Sequence, residues 1–150
     1  FSNIIPALYG FIPQTYCGPK TAKFAGKKAN LELKGDEDPL DICVFTEREI
    51  PHGNILVEAK VIGGMRMIDG GEADDKIIAV LAQDEVYNFD DISDAPERLV
   101  NRLKHYFLTY KQIPGEDSPK CEITHVYNAE EAKKVIGLSI QDYKDLYEEK

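Results

Sequence analysis

The hydrophobic pattern divides the chain into a β-like first two thirds and a helical last third. Residues 4–13 (IIPALYGFIP) are apolar and punctuated by proline, which predicts a strand with an irregular end. Residues 17–30 (CGPKTAKFAGKKAN) are polar, locally basic and carry Gly and Pro, and so predict a surface loop. Residues 41–45 (DICVF) predict a short strand that directly follows an acidic turn. Residues 55–68 are strand-like but broken at Gly63-Gly64, the mark of a bulge or sharp bend. Residues 76–82 (KIIAVLA) form the continuous apolar run of a well-buried strand. Short strands with bends of this kind predict a small closed or highly curved barrel.

In the helical third, Asp94 is placed to cap, Pro96 sits where a first turn tolerates it, and Glu97 suits the positive end of the dipole. Leu99, Leu103, Tyr106, Phe107 and Tyr110 then recur at helical spacing as one apolar stripe. Asn128 followed by Glu131 resembles a capping box opening a second helix through Val135 and Ile136. Gly137 is expected to end it, Ser139–Tyr147 to form a further helical stretch, and the end at Lys150 to fray.

Composition narrows the class. The 150 residues are 43% hydrophobic and 30% charged, as in a globular domain. A chain this long buries roughly 70% of its unfolded surface, so residues 1–150 are expected to form one domain. No apolar run approaches the roughly 20 residues that cross a bilayer, and no membrane partner is expected. The first residue is Phe1 rather than Met, which suits a piece of a longer chain. The net charge of −9 argues against a nucleic-acid partner and for a protein that recruits cations. Cys17, Cys43 and Cys121 are odd in number and far apart, which fits core thiols in a reducing cytoplasm better than disulfides or structural zinc.

The informative stretch is Gly35-Asp36-Glu37-Asp38-Pro39-Leu40-Asp41. Carboxylates this dense repel one another unless something neutralises them, and a divalent cation is a hard, oxygen-seeking neutraliser. Taken alone, a solvated acidic turn explains the stretch equally well. An EF-hand does not: Asp36, Asp38 and Glu47 fall at loop positions one, three and twelve, but Asp41 stands where the turn needs Gly, and Pro39 lies inside the loop. A second cluster, Asp69-Gly70-Gly71-Glu72-Ala73-Asp74-Asp75-Lys76, has the form of a hairpin turn. Acidic clusters at two strand ends, with Lys76 behind, suit several magnesium ions and an anionic ligand. Tyr110-Lys111 closes the main helix, where a Lys is also an ordinary dipole partner.

The D-x-D-P-x-D string at Asp36, Asp38 and Asp41 resembles the signature of the soluble (family I) inorganic pyrophosphatases. Tyr9-Gly10-Phe11-Ile12-Pro13 is similar to a second segment of that family. Asp69, Asp74 and Lys76 reproduce its Asp-x4-Asp-x-Lys spacing, and Tyr110-Lys111 its Tyr-Lys pair. Four motifs in order over residues 5–111 make the resemblance specific. It implies a mainly β fold with α, an OB-like five-stranded β-barrel flanked by helices, with the C-terminal third helical. The implied activity is magnesium-dependent (Mg2+) hydrolysis of pyrophosphate to two phosphates in a homo-oligomer, dimer or hexamer being left open.

Carried over by position, the resemblance implies that Asp36, Asp41 and Asp74 ligate a metal pair, with Asp41 shared. Asp69 with Asp74 would hold a further magnesium that arrives with substrate, and Asp38 would be the general base. Lys76, Tyr110 and Lys111 would hold phosphate oxygens, and Tyr9 would orient base or substrate. The family also has a Glu, a Lys, a second Glu and an Arg upstream of the Tyr-Gly segment, which this chain begins too late to contain, so N-terminal strands are expected to be missing. The Thr15–Lys34 loop, longer than in compact bacterial members, carries Lys20, Lys23, Lys27 and Lys28, which suit a solvated loop or an oligomer contact better than phosphate. His52, His105 and His125 are dispersed and receive no role.

Two other readings compete. An OB-like module for single strands needs basic residues with stacking aromatics, whereas this groove would carry Asp36, Asp38, Asp41, Asp69 and Asp74. A cation-binding structural domain, or an inactive homologue, shares the carboxylates but has no need of Lys76 and Lys111.

Overall fold

The structure, a computed structural model, describes residues 4–115 and 121–148. In chain order the elements are β1 (Leu8–Phe11), α1 (Pro19–Ala29), β2 (Lys34–Gly35), β3 (Asp41–Phe45), β4 (Ala59–Asp69), β5 (Glu72–Ala73), β6 (Lys76–Leu81), α2 (Glu97–Thr109), β7 (Cys121–Asn128) and α3 (Ala129–Tyr147). The strands form one mixed sheet. β3 lies between antiparallel β1 and parallel β6, while β4 pairs antiparallel with β6 and, on its other side, with β7. β5 returns from β4 as a short hairpin and pairs in parallel with β2.

The continuous apolar run of β6 has a physical reason: it is covered on both faces. Ile78 and Val80 pack with Met65, Met67, Leu103 and Phe107 under α2. Ile77 turns the other way, into a second cluster with Leu40, Tyr127, Ala132 and Val135 under α3. The expected break at Gly63-Gly64 is a register shift between Val61 and Gly63. A Cβ there would meet β7 at 2.5 Å from the Tyr127 carbonyl oxygen or 2.4 Å from the Tyr127 ring. Only glycine lets the two strands approach this closely.

Several expectations are corrected. The sheet does not close into a five-stranded barrel: among the described residues β1 and β7 do not pair with each other, and the sheet is open. The last third is not wholly helical, because Cys121–Asn128 is a strand paired along β4. Gly137 does not end a helix; α3 runs through it, with Ala132, Val135, Ser139 and Asp142 buried in one stripe. Asp94 caps no long helix but belongs with Asp91 to a capping box on a 3-10 turn at Ile92–Asp94. The expected strand over 4–13 is shorter, Leu8–Phe11. The fraying expected at the chain end falls partly on Glu149 and Lys150, outside the described residues.

The largest departure is 17–30, expected as a loop and found as helix α1. Its N-cap, Gly18, has no side chain to satisfy the exposed amides of the first turn. Asp142 of α3 supplies that function from across the fold. Its carboxylate accepts from the Gly18, Lys20 and Thr21 amides at 3.2, 3.0 and 2.9 Å and from the Thr21 hydroxyl at 2.8 Å. The carboxylate also sits at the positive end of the helix dipole. Asp142→Ala should therefore lower unfolding free energy by about 3 kcal/mol. Urea denaturation checks this; an unchanged midpoint would show that α1 is held by its apolar face alone.

Candidate active site

The topology gathers one end of the sheet. β1 ends, β3 begins, β6 begins and β4 ends on the same side, with Phe11 opposite Asp41, Asp41 opposite Lys76, and Met65 opposite Lys76. Over that end lies a cavity of about 370 Å³. Tyr9, Asp36, Asp38, Asp41, Asp69, Asp74, Lys76, Tyr110 and Lys111 all line it, so every residue singled out from the sequence arrives in one place. Phe11, Pro39 and Glu72 line it too and were not singled out. Glu72 could have been found from the hairpin alone, because the turn places it opposite Asp69. Two wider hollows, of about 880 and 460 Å³, lie elsewhere; the first borrows Asp36 and Glu72, the second none of these residues.

The acidic loop is fixed by backbone contacts with the segment before α1. The Cys17 amide donates to the Asp38 carbonyl at 2.9 Å, the Glu37 amide to the Cys17 carbonyl at 3.2 Å, and the Leu40 amide to the Thr15 hydroxyl at 2.9 Å. This approach explains Gly35, where a Cβ would stand 2.0 Å from the Cys17 carbonyl oxygen. Within the loop, the Asp36 carboxylate accepts from the Asp38 amide at 3.1 Å, the turn geometry Asp favours. Lys20, Lys23, Lys27 and Lys28 do not reach the cavity; Lys20 pairs with Asp145 and Lys28 with Glu131. His52, His105 and His125 are also absent from its lining.

Lys76 is the organising charge. Its Nζ donates to Asp41 at 2.6 Å and to Asp74 at 2.5 Å, with the Tyr9 and Phe107 rings 5.9 and 5.7 Å away. Burial alone would lower its pKa, but Asp74 and Asp41 outweigh burial and hold it above the ordinary lysine value. Lys76 is therefore charged at neutral pH. At the rim, Lys111 pairs with Asp69, and that hydrogen bond raises its pKa in the same sense. Burial raises the Tyr9 and Tyr110 phenols, so both stay protonated donors. Asp36 is pushed up to about 7, first by burial and then by the charges of Asp74 and Asp38, against the opposing Asp38 amide. Burial likewise raises Asp74, although Lys76 pulls it down.

This donor set is all oxygen and mostly anionic, which fits a hard divalent cation and not a soft one. Among the described residues no three such side chains already converge as a ligand group. Asp41 and Asp74 close instead on Lys76, and Asp69 on Lys111. Each of these three carboxylates gives one of its two oxygens to a lysine.

The inorganic pyrophosphatase family profile matches residues 1–144. An inorganic pyrophosphatase of Chlamydia caviae is 52% identical over 149 residues, spanning 95% of this chain and 69% of the relative. That of Haemophilus influenzae is 36% identical over 144 residues, spanning 93% and 69%. Among solved structures, an inorganic pyrophosphatase from Neisseria gonorrhoeae superposes with a TM-score of 0.72 at 35% identity, covering 93% of this chain and 70% of that one. A type I inorganic pyrophosphatase from Toxoplasma gondii superposes with a TM-score of 0.80 at 28% identity, covering 93% and 61%.

The raised Asp36 pKa fixes a sign. The metal-free folded state keeps this proton up to about pH 7, whereas an unfolded Asp releases it near the ordinary 3.8. The contribution is therefore full at low pH and is lost as pH rises from about 4 to about 7. Thermal melts of metal-free protein should show Asp36→Asn raising the Tm at pH 8 more than at pH 5. An equal effect at both pH values would mean that Asp36 ionises freely.

Proposed function

The chain belongs to the inorganic pyrophosphatase family, and we propose that it hydrolyses pyrophosphate to two phosphates, in a magnesium-dependent reaction, at the cavity between β3, β6 and the β4–β5 hairpin. The observation that carries this reading is the convergence of nine residues, 102 positions apart from Tyr9 to Lys111, on one cavity that holds carboxylates together with two lysines. A purely cation-binding domain would leave Lys76 and Lys111 among those carboxylates without a purpose.

Asp36, Asp41 and Asp74 would hold a metal pair, with Asp41 shared, and Asp69 with Asp74 a further ion entering with substrate. Magnesium bound there would neutralise substrate charge and lower the pKa of water. The protein's own residues supply position and proton transfer. Asp38 takes the proton of the attacking water as its oxygen bonds to phosphorus and the bridging P–O bond breaks, one phosphate leaving. Lys76 and Lys111, released from Asp41, Asp74 and Asp69, pair with phosphate oxygens, and Tyr110 donates its hydroxyl. Tyr9, a donor beside Asp41, orients the water or the substrate.

The same reading takes residues 1–150 as one pyrophosphatase domain working in the cytoplasm, consistent with three free, buried cysteines and with no described helix long and apolar enough to cross a membrane. Assembly as a homo-oligomer belongs to it as well.

Phosphate release from pyrophosphate, followed with and without magnesium, tests the reading. Wild-type protein should turn over only with magnesium. Asp38→Asn should lower kcat by about 10²–10⁴-fold while magnesium affinity, measured by calorimetry, stays close to wild type. Loss of affinity instead would make Asp38 a ligand; neither turnover nor magnesium binding in wild type would sink the proposal.

A further inference from the structure

Beneath the cavity, on the α1–α3 side of the sheet, lies a buried ionic cluster that none of the roles above uses. Arg66 of β4 is 0% exposed and Asp75, in the link between β5 and β6, is 3% exposed. Arg66 Nη2 donates to Asp75 Oδ2 at 3.1 Å, and the Tyr127 hydroxyl of β7 donates to the same oxygen at 2.8 Å. The guanidinium lies 4.7 Å from the Tyr127 ring centre and 5.5 Å from that of Phe24 on α1. Its Nη1 donates to Glu131 of α3 at 3.1 Å, and Glu131 is held in turn by Lys28.

Such a cluster is a poor source of stability. Burying an ion pair costs desolvation that the pair roughly repays, and apolar residues of similar volume often serve as well. This one is also incomplete, because Arg66 Nε and Asp75 Oδ1 are buried without hydrogen-bond partners among the described residues. What it supplies is direction: a planar guanidinium, packed near two rings, aims a fixed donor at the Asp75 carboxylate.

The place of that carboxylate in the chain gives the direction a use. Asp75 lies between Asp74 and Lys76, and successive side chains of an extended segment leave on opposite faces. Asp74 and Lys76 turn into the cavity, while Asp75 turns down into the cluster. We propose that Asp75, gripped by Arg66 and Tyr127, is a positioning residue that fixes the backbone from which Asp74 and Lys76 enter the active site. The kinetic part of this proposal rests on the pyrophosphatase reading; the positional part does not.

The test compares wild type, Asp75→Asn and an all-apolar variant, R66M/D75V/Y127F. Three quantities are read: the urea midpoint, kcat and KM for magnesium pyrophosphate, and the NMR resonance of the Lys76 ammonium, identified by its loss in Lys76→Arg. The apolar variant should unfold at a midpoint no lower than wild type, yet lose about ten- to a hundredfold in kcat with KM little changed, and its Lys76 resonance should shift or broaden. Wild-type kcat and an unmoved resonance in the folded variant overturn the proposal, because the cluster would then only support the fold. Should that variant not fold, Asp75→Asn decides. It keeps the size of the side chain and an acceptor for Tyr127 but loses the charge that holds Arg66. A severalfold lower kcat with a shifted resonance supports the proposal; no change in either overturns it. If wild type hydrolyses no pyrophosphate, the functional reading fails by itself, and the Lys76 resonance still decides the positional claim.

Discussion

One buried ammonium between two carboxylates organises this end of the molecule. Lys76 stands first in β6, directly across from Asp41 at the start of parallel β3, and Asp74 lies two residues before it. A lysine that is 2% exposed is tolerable only where anions repay its lost hydration. The parallel register supplies them: a one-residue slip between β3 and β6 would turn Asp41 to the other face and strand Lys76 in the core. The same pairing puts Ile42 opposite Ile77 and Cys43 opposite Ile78, so the cavity and both core layers share one register.

From that pair the remaining acids follow as a problem of repulsion. Asp36, Asp38, Asp41, Asp69, Glu72 and Asp74 share a wall with only two lysines, and Asp36 answers by holding its proton to about pH 7. A site that neutralises itself with lysines and protons is one in which added cations have carboxylates to win and lysines to free. Pyrophosphate, a polyanion, needs freed lysines and cations together. In the proposed reaction, cation binding and anion binding at this cavity would be two halves of one exchange.

The residues that line the cavity were more legible in the sequence than the fold was. β3 and β6 were legible because a short run with Ile, Val and Phe after an acidic turn and a continuous apolar run have few other uses, and the acidic clusters were legible because dense charge needs a partner. Helix α1 was not, since its first turn is satisfied by Asp142, more than a hundred residues away, and Gly18-Pro19 has the composition of a turn. β7 was hidden by exposure: Glu122, His125 and Val126 are exposed, so no clean alternation marks it. Gly137 misled because a helix interior tolerates glycine when the packing stripe runs past it; a Cβ there would touch nothing. The nine cavity residues came from motif spacing and family resemblance, whereas Glu72 needed the hairpin register. The Arg66–Asp75–Tyr127 cluster needed the pairing of β4 with β7, which no local pattern encodes.

The most direct measurement is a crystal structure of this chain with magnesium and a non-hydrolysable pyrophosphate analogue. Metal ions are expected on Asp36, Asp41, Asp69 and Asp74, with Lys76 and Lys111 moved from their carboxylates onto phosphate oxygens. An analogue bound elsewhere, or Lys76 still bridging Asp41 and Asp74 with the ligand in place, would contradict that expectation.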